Sequence, residues 1–138
     1  MSSLNDLNFF SKNNVETVSN NNLNWIDYKI KRTFKERLNE SQIILKKYPE
    51  KVPVIINECS EDLKDKLKRK MLIQKDMTVA QYMQSLRTKF NINSEESILM
   101  FINCSLPTSS TLIGYLYEKN KDNDGFLYIS ILKENVFG

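Results

Sequence analysis

The sequence predicts an α+β fold: a mixed four-stranded sheet crossed by one helix, with two more helices ahead of it. Three observations lead there. Four apolar runs, the β-branched KVPVIINECS (51–60), KMLIQK (70–75), SILMFINC (97–104) and FLYISIL (126–132), have the length and composition of strands. Between the second and third lies a segment of helical period that opens on its own capping box. Two helical segments precede the first strand.

Residues 1–24 are rich in Asn and Ser, with Leu4, Leu7, Phe9, Phe10 and Leu23 as apolar exceptions. Such a composition buries too little surface to offset the entropy of ordering, so this segment is expected to be a flexible extension. Order is expected from Trp25, with a short helix over Trp25 to Lys31. A second helix opens at Thr33, whose hydroxyl pairs with Glu36 three residues on. On it Phe34, Leu38, Leu45 and Tyr48 share one stripe, the expected core face, while Ile44 stands at the stripe's edge beside Glu40 and Arg37. Pro49 ends this helix by pushing Tyr48 out of helical geometry. The first strand follows, with Pro53 tolerable at an edge or at a non-bonded position, and it forms an antiparallel hairpin with Lys70 to Lys75. Thr78 and Gln81 repeat the capping box before Val79, Tyr82, Met83, Leu86 and Phe90. SILMFINC is apolar almost without break, as a strand buried on both faces would be. A turn at Leu106-Pro107-Thr108 leads to a short helix over Leu112 to Tyr117, and Asp124-Gly125 breaks the chain before the last strand.

With 138 residues, 41% of them apolar and 27% charged, the chain has the composition of a globular domain plus a tail. No apolar run approaches the ~20 residues that span a bilayer, and the N-terminus lacks a secretory pattern, so a cytoplasmic location is expected. Cys59 and Cys104 lie in apolar contexts and are expected to be buried, reduced thiols. The chain contains no histidine, which excludes Cys-His and Ser-His catalytic pairs and disfavours a zinc site. The net charge of +3 is uneven: Lys29 to Lys51 holds eight basic residues against three acidic, and the balance turns acidic beyond Asn91. A basic face favours acidic partners or anionic surfaces. Nucleic acid is a weaker reading, since no RNA-recognition motif accompanies the charge and clustered charge alone binds without specificity.

A hairpin, a crossover helix and two later strands in one mixed sheet make the β-grasp arrangement of ubiquitin, which sets the C-terminus at the end of a central strand. Here the chain ends NVFG, with Gly138 bearing the terminal carboxylate. Lacking a Cβ, such a glycine passes easily through a narrow catalytic channel.

The stretches KKYPEKVPVI (46–55), KRKMLIQKDMTVAQY (68–82), LMFINCSLPTSST (99–111) and YEKNKDNDGFLYI…NVFG (117–138) resemble the autophagy-related ubiquitin-like modifiers, the family of the GABA-receptor-associated proteins and the microtubule-associated light chains. The resemblance runs from Trp25 to Gly138 and implies a modifier domain over 25–138, a modifier rather than an enzyme, needing no cofactor. It implies that Gly138 is adenylated, passed as a thioester between cysteines of activating and conjugating enzymes, and joined to phosphatidylethanolamine on autophagosomal membranes. A cysteine protease would process and delipidate it; with nothing after Gly138, the chain looks ready for activation.

The resemblance also implies capture of cargo receptors carrying W/F/Y-x-x-L/I/V segments, added as a strand beside the second strand. Its aromatic pocket would be formed by Glu40, Ile44, Pro53, Leu72 and Phe126, with Lys70 on the rim. Its aliphatic pocket would be formed by Met71, Ile73, Met77, Tyr82 and Leu86, and Lys51 and Lys89 would pair with acidic flanks. Gln74, Met71 and Ser85 stand where the family usually has proline, tyrosine and leucine, which implies a more polar and adaptable second pocket. Cys104 and Thr108 replace a usual asparagine and proline, changes expected to act on local stability. A peptide-binding trafficking adaptor of the same fold, never conjugated, is the alternative that Gly138 argues against.

Overall fold

The computed structural model describes residues 25–134; the expectations for 1–24, for Phe9 and Phe10 and for Gly138 lie outside the described residues. The elements run α1 (Tyr28–Lys31), α2 (Phe34–Lys47), β1 (Lys51–Cys59), a 3-10 turn (Glu61–Leu63), β2 (Lys70–Gln74), α3 (Val79–Lys89), β3 (Ile98–Phe101), α4 (Ile113–Asn120) and β4 (Leu127–Lys133). The strand order is β2-β1-β4-β3. β1 and β4 are parallel, while β1–β2 and β3–β4 are antiparallel. This is the mixed β-grasp sheet expected, with β4 central.

Both capping boxes form. Glu36 N–H donates to Thr33 Oγ1 at 3.1 Å and Thr33 N–H to Glu36 Oε1 at 2.9 Å; Thr78 and Gln81 repeat the exchange at 3.1 and 2.9 Å. α1 is shorter than expected because Asp27 caps it, its carboxylate accepting from Lys29 N–H at 2.9 Å.

Pro53 lies in an interior strand, not at an edge, and it fits for a geometric reason. Ile56 N–H donates to Arg69 O and Lys75 N–H to Glu50 O. Even-numbered β1 residues therefore exchange hydrogen bonds with β2, and the Pro53 nitrogen points away from it. On the other side, pairing with β4 begins one residue later, at Val54.

The sheet separates two cores. Val52, Val54, Ile56, Met71, Ile73, Leu127, Ile129 and Ile131 pack beneath α3 and α4 with Val79, Tyr82, Leu86, Ile113 and Tyr117. On the opposite face Ile55 and Leu72 join Tyr28, Ile44 and Phe126 in a smaller cluster beneath α1 and α2.

Three sequence expectations are corrected. α2 buries Arg37, Ser41 and Ile44, whereas Phe34 is 47% exposed and Leu38, Leu45 and Tyr48 are half-buried. The reason is polar: Asp124, fully buried, accepts from the Arg37 guanidinium and the Tyr128 hydroxyl through one carboxylate oxygen and from Phe126 N–H through the other, while Ser41 donates to the Asp124 carbonyl. β3 is a four-residue outer strand whose residues alternate between buried and half-buried, not buried on both faces. Cys104 is exposed: Asn103 and Cys104, at φ 52° and 63°, form a two-residue hairpin closed by reciprocal 2.9 Å bonds between Ile102 and Ser105. Cys59 is buried, as expected.

Candidate peptide-binding edge

Among the described residues β2 is an outer strand, paired with β1 on one side only. Its side chains alternate, so Lys70 and Leu72 face the α1–α2 side while Met71 and Ile73 face the α3 side. One edge therefore borders both cores.

On the α1–α2 side the residues expected to form an aromatic pocket do come together. Ile44, Leu72 and Phe126 share the smaller cluster, Pro53 lies opposite Leu72 in the β1–β2 register, and all four are buried. Glu40 and Lys70 form its polar end, with Lys70 Nζ 3.5 Å from Glu40 Oε2. The sequence reading missed the residue at the centre. Tyr28 fills the cluster, its ring edge-on to Phe126 with centroids 6.1 Å apart. Its hydroxyl donates to Glu40 Oε1 at 2.7 Å and accepts from Lys70 Nζ at 3.3 Å. Burial, reinforced by the Glu40 charge and hydrogen bond, pushes the Tyr28 phenol well above its ordinary range. Lys70 is only 8% exposed, and burial lowers its pKa against the opposing pull of Glu40. The available signal was an aromatic on a short segment whose other residues, Ile30 apart, are basic or capping.

On the α3 side Met71, Ile73, Tyr82 and Leu86 are buried members of the larger core, with half-buried Met77 packed against it. The Tyr82 hydroxyl has no hydrogen-bond partner among the described residues, and burial raises its pKa far out of range. Along α3 a shallow recess of about 290 Å³ is lined by Gln81, Gln84, Ser85, Thr88 and Lys89, and by none of the residues expected to form the aliphatic pocket. Lys89 is exposed there and Ser85 is half-buried.

Lys51 opens β1 next to Gln74, in a recess of about 410 Å³ shared with Glu50, Lys75 and Asp76. Burial lowers the pKa of its ammonium, and its Nζ lies 5.7 Å from the Tyr48 ring centroid.

A mixed β-grasp sheet carrying two extra N-terminal helices and bordered by an outer strand defines a ubiquitin-like protein. Residues 36–138 match the family model described as "Autophagy protein Atg8 ubiquitin like". Autophagy-related protein 8a of Arabidopsis thaliana is 37% identical over 112 residues, covering 80% of this chain and 92% of the relative. Autophagy-related protein 8 of Kluyveromyces lactis is also 37% identical over 112 residues, covering 80% and 90%. Among solved structures, Trypanosoma brucei ATG8 superposes with a TM-score of 0.68 at 28% identity, covering 82% of this chain and 98% of that one. Plasmodium falciparum Atg8 in complex with a Plasmodium falciparum Atg3 peptide does so with a TM-score of 0.68 at 30% identity, covering 77% and 94%. The chain belongs to the Atg8 family of ubiquitin-like autophagy proteins.

Proposed function

We propose that this protein is a modifier joined through the Gly138 carboxylate to phosphatidylethanolamine on autophagosomal membranes, and that it recruits cargo receptors by adding their W/F/Y-x-x-L/I/V segments beside β2. The observation that carries the second half is the one-sided edge of β2, which borders an apolar cluster on each face of the sheet. Glu40, Ile44, Pro53, Leu72, Phe126 and Lys70 receive the aromatic; Met71, Ile73, Met77, Tyr82 and Leu86 receive the aliphatic residue; Lys51 and Lys89 meet acidic flanks.

Conjugation needs one group from this chain. Gly138 is adenylated with release of pyrophosphate, a cysteine thiolate of the activating enzyme displaces AMP, and the thioester passes to the conjugating enzyme. The lipid amine then forms an amide as the thiolate leaves. Family membership supports this sequence, and a relative bound to an Atg3 peptide supports a conjugating-enzyme partner. A cysteine protease reverses the attachment. The lipid supplies the anchor, and no helix among the described residues is long and apolar enough to cross a membrane. Residues 25–138 constitute the modifier domain and 1–24 an extension.

The test is intact mass after incubation with activating and conjugating enzymes, ATP and liposomes containing phosphatidylethanolamine. The expected product gains one lipid minus water, and Gly138→Ala yields none. Equal lipidation of the variant would remove Gly138 from its role; no product from wild type, alongside a lipidated control homologue, would favour the unconjugated adaptor.

A further inference from the structure

We propose that Tyr28 is an intramolecular occupant of the aromatic subsite at the β2 edge, and that α1 must release it before a partner's aromatic side chain can enter. The inference rests on the peptide-binding reading above and adds a competitor carried by the chain itself.

Tyr28, Ile44, Ile55, Leu72 and Phe126 are each between 0 and 3% exposed. While Tyr28 is in place, the walls offered to an incoming ring have almost no surface left to contact. Tyr28 also takes the polar end of the subsite, holding Glu40 through its hydroxyl with the Lys70 ammonium alongside. A partner's ring entering here would meet the same walls and the same carboxylate, so the event is an exchange of one aromatic for another.

The rest of α1 has little apolar anchoring. It is four residues long, too short to be helical without tertiary support. Tyr28 is its one buried residue, while Ile30 is 77% exposed and Ile26, just before it, 41%. The remaining ties are polar or cation–π contacts, among them Tyr28 N–H to Asn57 Oδ1 at 3.2 Å, Trp25 Nε1 to Lys64 O at 3.2 Å, Arg37 Nε to Arg32 O at 3.1 Å, the Arg69 guanidinium 5.6 Å from both the Trp25 and Tyr28 ring centroids, and the solvent-facing Lys29–Asp122 pair. Release of α1 breaks the Arg37 bond to Arg32 O and the Tyr28 bond to Glu40, but leaves α2 tied to Asp124 through Arg37 and Ser41. The occupant can therefore leave without dismantling the wall supplied by Ile44. Occupancy lowers the apparent affinity for a peptide by the fraction of molecules with α1 released.

The test titrates a fluorescein-labelled acidic peptide with a Trp-x-x-Leu core into the full chain and into Tyr28→Ala, followed by anisotropy. The variant is expected to bind about tenfold more tightly, the factor that a released fraction of about one tenth imposes. Because the substitution empties a buried site, a second measurement uses wild type alone: the nuclear Overhauser contact between the Tyr28 and Phe126 rings is expected to vanish at saturating peptide. Persistence of that contact in the complex, or a folded variant that binds no tighter, overturns the occupant role and leaves the peptide edge standing. If neither wild type nor the folded variant binds, the peptide-binding reading fails and this inference with it.

Discussion

Cys59 and Cys104 are the same residue type in similar apolar surroundings along the sequence, yet the fold gives them opposite fates. Cys59 ends β1 in the larger core, where burial pushes its thiol up to about 12. Cys104 is exposed at the tip of a two-residue hairpin. Only the thiolate attacks an alkylating agent. Native protein treated with iodoacetamide is therefore expected to gain one adduct, mapped to Cys104, and a second at Cys59 only after unfolding; equal native rates at both would contradict the burial of Cys59. Cys59 was legible because an apolar run with β-branched neighbours is a buried strand whichever face each residue takes. Cys104 was not, because SILMFINC hides its turn. A hairpin with two positive-φ residues usually announces itself with glycine, and here Asn-Cys takes that conformation.

At the scale of elements, the capping boxes located the starts of α2 and α3, since they depend only on residues three apart. The buried face of α2 was less legible: its apolar residues form a stripe, but the contacts that orient it belong to Asp124, a partner 87 residues from Arg37. That partner holds its position through a turn at Gly125, whose φ is +89°. A Cβ built there would lie 2.3 Å from Ser41 Oγ and 2.9 Å from Ser41 Cβ, so α2 sits against bare backbone. Gly125→Ala combines a strained φ with a clash against the helix, and is expected to destabilise the fold by about 2–4 kcal/mol, read from the urea midpoint. Arg37 adds a second dependence. Arg37→Ala would leave a fully buried carboxylate without its cation and is expected to cost about 3–5 kcal/mol by the same measurement.

Across the whole molecule the two faces of the sheet are unequal. Among the described residues the core beneath α3 and α4 joins 21 buried residues, against five beneath α1 and α2. Local opening concentrates where few apolar contacts hold an element. In hydrogen exchange, the amides of Lys31 and Arg32, which close α1 on Asp27 O and Tyr28 O, are expected to exchange well before that of Ile56, which bonds Arg69 O inside the sheet. Similar protection at both places would mean that α1 opens only with the entire fold. The overall architecture was readable from the order of apolar runs because the β-grasp sheet follows from it. Tyr28's place was not, because a short segment outside the hairpin-and-helix pattern carries no periodicity to reveal what it covers.

The alternation of Lys70 through Gln74 between those two faces also sets an arithmetic for anything laid beside it. A strand added at this edge sends successive side chains above and below the sheet, so two residues reach opposite faces only when an odd number of steps separates them. Anchors two or four positions apart would crowd onto one face and leave the other cluster untouched. Anchors three apart place one side chain toward Tyr28 and Leu72 and the other toward Met71 and Ile73. The spacing of a two-anchor ligand for this edge is thus confined by parity to odd separations, before the size or polarity of either pocket has any say.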